Sequence, residues 1–246
     1  NNFQVIIMNI VKFRKEYKKD HIIPNGIHNE SELYLYNGDI IKLFNKRISF
    51  DRQRTILSLD EIERQECIIP KYSIIYGSNI VGYGMEYLKD FSTLFRLIED
   101  ESLSFSDRKQ IAIKLYQIIM YLERIGVCYP DIHTGNFLYK DGIVRVIDMD
   151  SVMLDKICVK DNFNYNIELS YLRLARLCFT ILINMRVILP FELNSIEQSD
   201  IIEFFDGDKK EYFKYIFGYE KSDKYFIDTI DRFTEEDSIL IRSYLK

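Results

Sequence analysis

Three side chains in one short stretch define the chemistry this chain is equipped to do: Asp131, Asn136 five residues on, and Asp148 twelve residues after that. They stand in Tyr129-Pro-Asp-Ile-His-Thr-Gly-Asn136 and in Val146-Ile-Asp-Met-Asp150. A carboxylate can orient an attacking hydroxyl. An amide oxygen and a second carboxylate are hard donors suited to Mg²⁺ on a polyphosphate. Together they suit phosphoryl transfer from ATP. Taken singly, Asp131 and Asn136 read as Asx residues that cap turns; the combined spacing favours the chemical reading.

The pattern D-x-H-x-x-N followed by I-D-x-D resembles the catalytic core of the protein-kinase-like superfamily. It is closer to the bacterial aminoglycoside and choline phosphotransferase branch than to ordinary Ser/Thr kinases. The resemblance implies that Asp131 is the catalytic base, with Asn136 and Asp148 as the Mg²⁺ ligands. Lys42, in Asp39-Ile-Ile-Lys-Leu-Phe44, matches the strand lysine that meets the ATP phosphates. A lysine flanked by apolar residues in a strand is costly if it faces inward unpaired; on the solvent face of an edge strand it would carry no such cost. Met85 and the following Glu86, Tyr87 and Leu88 resemble the hinge whose backbone holds adenine. His133 belongs to the loop in a structural role. Asp150 is either a second metal carboxylate or the cap of the next turn.

Several positions depart from the family. The loop that should cover the phosphates offers Gly26 alone, with Asn29 and Ser31 where further glycines are usual. Met149-Asp150 replaces Phe-Gly, and no A-P-E follows. The glutamate that should pair with Lys42 is sought among Asp60, Glu61 and Glu63, with Glu63 preferred because it shares a helix face with Ile56 and Leu59.

The surrounding pattern predicts the elements that must position these groups. Residues 3–20 predict a leading strand or helix. Residues 33–44 alternate about Asn37-Gly38, a hairpin signal. Residues 51–66 carry Ile56, Leu59 and Ile62 at helical spacing, and two strands then join near Gly77-Ser78-Asn79. A short helix over 94–98 is followed by a long one, capped at Ser106-Asp107 and stopped by Gly126. A hairpin turning at Asp141-Gly142 leads to a second long helix over 167–183, and residues 196–246 predict about three shorter helices. The expected fold is α+β: one two-lobed protein-kinase-like domain over 1–246, with a β-rich lobe at about 25–88 and a mostly helical lobe over 89–246.

Composition bounds the alternatives. At 246 residues, with 47% hydrophobic and 29% charged side chains, the chain can bury a sizeable core. A formal charge of −5 disfavours a nucleic-acid surface. Cys67, Cys128, Cys158 and Cys178 are scattered single cysteines, which fit reduced thiols in the cytoplasm better than a disulfide framework. The apolar run from Leu177 to Pro190 is too short and polar to span a bilayer; no signal peptide is visible and no membrane partner is expected. The expectation is therefore a cytoplasmic, ATP- and Mg²⁺-dependent kinase acting on a hydroxyl acceptor, with a small molecule favoured over a protein Ser/Thr. The alternatives are an inactive nucleotide-binding module of the same fold and an enzyme that transfers AMP.

Overall fold

A computed structural model describes residues 9–22, 30–100, 102–186, 193–220 and 225–245. Gly26, Asn29 and Pro190 lie outside them. The architecture is α+β, with a sheet-rich N-terminal part and a helical C-terminal part. The first part holds β1 (Asn9–Lys12), β2 (Asp20–Ile22), β3 (Ser31–Tyr36), β4 (Asp39–Phe44), α1 (Phe50–Leu57), β5 (Tyr72–Tyr76) and β6 (Asn79–Glu86). The second holds β7 (Ser92–Thr93), α2 (Leu94–Leu97), α3 (Phe105–Arg124), β8 (Val127–Cys128), β9 (Phe137–Lys140), β10 (Ile143–Val146) and β11 (Met153–Leu154), followed by α4 (Lys160–Ile183), α5 (Ser195–Phe204), α6 (Gly207–Phe217), α7 (Ile227–Asp231) and α8 (Glu235–Tyr244).

The six strands of the first part order as β1-β5-β6-β4-β3-β2, so β4 lies inside the sheet and not at its edge. Only the β1–β5 pairing is parallel. Asn37 and Gly38 both take positive φ, 50° and 82°, and close the β3–β4 hairpin as the Asn-Gly signal requires. Side chains alternate faces along β4. Ile41 and Leu43 enter a small core with Tyr17, Tyr34 and Ile74. Ile40, Lys42 and Phe44 therefore face the other way, toward the main core that Ile40 and Phe44 share with Tyr83 and Met85. The register sets Lys42 between Leu33 and Tyr83. Because β1 and β2 belong to this sheet, the sheet reaches back at least to Asn9, ahead of the expected boundary near residue 25.

The helix expected over 51–66 ends at Leu57 and continues as a single 3₁₀ turn, Leu59–Glu61. Ile56, Leu59 and Ile62 are buried as their spacing implies. Beyond them the chain must extend, because Ile68 N–H bonds to Val146 O at 2.8 Å and Val146 N–H to Glu66 O at 2.7 Å. That pairing ties the sheet-rich part to β10. α3 begins at a capping box of Ser104 and Asp107, one Ser earlier than expected, and ends where Gly126 takes φ +75°. α4 starts two turns before the expected position, leaving only residues 149–159 between Asp148 and the helix.

α3 and α4 form the centre of the helical part, with Cys178 Sγ 3.7 Å from Ala112 O and the rings of Tyr116 and Tyr171 6.3 Å apart. The later helices dock on this pair through buried side chains. Tyr212 of α6 donates to Ala175 O at 2.7 Å, and Ser238 of α8 donates to Leu182 O at 3.0 Å. No described helix is long and apolar enough to cross a membrane. All four cysteines are free thiols.

Candidate functional site

Lys42 is the first side chain to account for, since an ammonium pointing into a core needs partners. It is 5% exposed. Its partners come from the far side of the chain. Nζ bonds to the Asp148 carboxylate and, at 2.8 Å, to Asp150 Oδ1. Burial alone would lower the lysine pKa, but the two carboxylates outweigh it and hold it above the ordinary value.

Asp148 follows β10 and takes φ 61°, a left-handed conformation that Asp tolerates better than most residues. The kink aims it back at Lys42, and its side chain stays about a third exposed (32%). Burial, helped by repulsion from Asp150, raises its carboxyl above the usual aspartate value despite Lys42. Asp150 lies in the 3₁₀ turn Met149–Ser151 and is buried. It accepts from Lys42, from Tyr83 Oη at 2.6 Å, and from Arg52 Nε and Nη2 at 3.0 and 2.6 Å. Burial works against its ionisation, but Lys42 and Arg52 overcome it and hold the carboxyl at about 2.

The loop after β8 supplies the second group. Asn136 Nδ2 donates to Asp131 twice, to its backbone O at 3.0 Å and its Oδ2 at 2.9 Å. His133 Nδ1 accepts from Gly135 N–H at 3.1 Å, which turns Nε2 toward Asp131 Oδ2 at 3.6 Å. The histidine thus shapes its loop, and its neighbouring ring holds Asp131 below the ordinary aspartate value against the burial that would raise it. Asp131 is ionised at neutral pH and half-exposed (49% for its side chain), so it can accept a hydrogen bond from outside. The two groups are locked together around Ile147. Its N–H bonds to Asn136 O at 3.0 Å, and its O accepts from buried Tyr129 Oη at 2.8 Å. Asp148 is the next residue, so the loop and the Lys42 partner share one backbone frame.

The residues expected to form a hinge sit where the sheet ends. Met85 is buried opposite Ile40, Glu86 closes β6 opposite Asp39, and Tyr87 and Leu88 lead out toward β7 and the helices. Ser31 opens β3 and is buried.

One expectation needs correction. No glutamate reaches Lys42 from the segment after α1: Glu61 pairs with Lys156, and Glu63 is exposed beyond the helix end. The truncation of α1 removes both from the helix face that was to carry them. Asp150 meets Lys42 instead, and its hydrogen bonds go to side chains of β4, β6 and α1. Arg52 and Tyr83 belong to none of the motifs that mark the other residues in the sequence. Tyr83 reaches the pair because β6 lies beside β4, a pairing of strands that are not adjacent in the chain; Arg52 has no signal beyond its place in the first turn of a helix.

Among the described residues no three His, Cys, Asp or Glu side chains converge as a metal cage. A concavity of about 600 Å³ beside the C-terminal half of α3, walled by Arg64, Gln117, Tyr121 and Tyr225, shares no residue with the site. The chain matches no protein-family model and no curated protein.

Proposed function

We propose that the chain is a protein-kinase-like phosphotransferase, two-lobed, which binds ATP with Mg²⁺ and passes the γ-phosphoryl group to a hydroxyl acceptor. The observation that carries the reading is the meeting of buried Lys42 with Asp148, one residue from the backbone frame that holds Asp131 and Asn136. A lysine on a central strand and an acid on a kinked turn more than a hundred residues later make this contact beside an ionised, outward-facing aspartate.

The donor chemistry fits Mg²⁺. Asn136 commits Nδ2 to Asp131, so oxygen is the donor atom its amide offers elsewhere. Asp148 adds a partly exposed carboxylate. Mg²⁺ on a nucleotide ordinarily needs only one or two protein oxygens, which Asn136 and Asp148 would supply. When bound, the metal supplies charge neutralisation on the phosphates. Lys42 serves the same charge, exchanging its bond to Asp148 for one to a phosphate oxygen. Asp131 accepts the hydrogen bond of the acceptor hydroxyl and aligns it for in-line attack. The backbone of Met85, Glu86, Tyr87 and Leu88 holds adenine. The brief segment between Asp148 and α4 leaves little chain for a peptide platform, which favours a small acceptor over a protein Ser/Thr.

Calorimetry of ATP binding with Mg²⁺ and with a chelator tests the reading. Tighter binding with Mg²⁺ is expected, and Asp148→Asn is expected to erase the gain. Equal affinity in all three conditions overturns the metal assignment. Binding without turnover on any acceptor, including the chain itself, makes the protein a nucleotide-binding interaction module.

A further inference from the structure

Asp150 has no free capacity. An ionised carboxylate offers about four acceptor sites, and all four are occupied: Lys42 and Tyr83 on Oδ1, and two nitrogens of Arg52 on Oδ2. Its side chain is fully enclosed, at 0% exposure. Asp148, a third exposed, lies on the open side of the same lysine. A cation approaching the pair meets Asp148.

Arg52 is the other unusual member. It projects from the first turn of α1, stacks its guanidinium 5.0 Å from the Phe44 ring and reaches Asp150 with two nitrogens. Its third contact is Glu30, just before β3, at 3.1 Å. One cation therefore joins the entry to the β3–β4 hairpin, the helix beside the sheet, and the turn that carries both aspartates. α1 itself sends no acid to Lys42.

We propose that Asp150 is a positioning residue and not a metal ligand: clamped by Arg52 of α1 and Tyr83 of β6, it holds Lys42 in place for the nucleotide phosphates. The proposal rests on the nucleotide-binding reading above. Its mechanical sense follows from the two-point attachment of Lys42. Were Lys42 to exchange Asp148 for a phosphate, the bond to Asp150 would keep the ammonium from swinging away. The helix is coupled to the lysine through a cation and a shared acid, so a displacement of α1 loosens Lys42 indirectly.

The test is calorimetric titration of the full chain with AMP-PNP, with and without Mg²⁺, for wild type, Arg52→Met, Arg52→Lys, Asp150→Asn and the Arg52→Met/Asp150→Asn double variant. Arg52→Met and Asp150→Asn are each expected to weaken binding about tenfold, as for loss of a charged hydrogen bond. The factor is expected to be the same with and without metal. The double variant is expected to bind no more weakly than the weaker single one, and Arg52→Lys, which keeps the charge but not the two-nitrogen fork or the stacking on Phe44, to recover only part of the loss. If Asp150→Asn abolishes the Mg²⁺ gain while sparing metal-free binding, Asp150 is a metal ligand and the proposal falls. It falls equally if both single variants bind like wild type. Denaturant unfolding of the same proteins guards against a folding defect. Non-additivity of about tenfold or more in the folding equilibrium is expected for two groups in direct contact, and additive effects refute the clamp. A wild-type chain that binds no AMP-PNP in either condition refutes the nucleotide reading and the positioning role together; the unfolding cycle then shows whether the clamp survives as a purely structural feature.

Discussion

Replacing Tyr83 with Phe removes one oxygen from the centre of the molecule and leaves its ring packing in place. The Tyr83 ring, 1% exposed, lies 6.1 Å from Phe44 and 5.7 Å from Lys42 Nζ, and Phe retains both contacts. What disappears is the 2.6 Å hydrogen bond to Asp150 Oδ1. A hydrogen bond to a charged group contributes about 1.5–3 kcal/mol net. Oδ1 still accepts from Lys42 and Oδ2 from Arg52, so the carboxylate is left under-satisfied but not bare. That places the loss in the lower half of the range, about 2 kcal/mol. For a chain of this length each kcal/mol lowers Tm by about 2–4 °C, so the expected drop is about 4–8 °C. Tyr116→Phe is the control. Tyr116 is also fully buried, but its hydroxyl has no hydrogen-bond partner among the described residues. Removing that hydroxyl relieves a desolvated polar group, and the expected result is no loss or a gain of about 1 kcal/mol. Urea and thermal unfolding followed by far-UV circular dichroism and tyrosine fluorescence reads both variants, provided the two probes coincide. Equal destabilisation by the two substitutions, or a Tm for Tyr83→Phe unchanged from wild type, refutes the view that Asp150 depends on its bound donors.

Asp131→Asn is expected to leave folding and nucleotide binding close to wild type while lowering ATP turnover by about 100-fold or more, the loss typical of a positioned acid or base; wild-type turnover in the purified variant reassigns Asp131 to a turn. Thiol labelling of the native chain with iodoacetamide is expected to modify Cys158 first, since it alone of the four is not fully buried. Burial pushes the Cys67 thiol up to about 12 and Cys128 to about 11, so both stay protonated at neutral pH. Mass spectrometry that finds Cys67 labelled as fast as Cys158 contradicts that burial.

Much of the fold is legible where one segment decides its own conformation. Asn37-Gly38 and Asp141-Gly142 combine residues that tolerate positive φ, and each pair does take it, closing its hairpin. Gly126 stops α3 for the same reason. Alternation along 39–44 places Lys42 on one face together with Ile40 and Phe44, and the 3.6-residue period marks α3 and the core of α4. These signals are local because they rest on backbone sterics and on the geometry of a single element. Their limits are also local. Ile56, Leu59 and Ile62 bury as expected, yet the backbone that buries them is helix, then 3₁₀ turn, then extended chain, because β10 supplies hydrogen bonds to residues 66 and 68 that a longer helix would forgo.

The candidate site divides along the same line. The spacing of Asp131, Asn136 and Asp148 is a property of one loop and one hairpin, so sequence alone brings out the three residues. Which charges meet Lys42 is a different question. Its carboxylates lie 106 and 108 positions away, and Arg52 stands 98 positions from Asp150. Neither residue type nor spacing ranks Glu63, Asp148 and Asp150 as partners, because the free energy of a buried ion pair depends on desolvation and on how many donors converge on the acid. Those quantities exist only once the sheet, α1 and the turn after β10 are packed against one another. The residue types and the local turns come from the sequence; the assignment of Asp150 to the interior and Asp148 to the open side comes from tertiary packing alone.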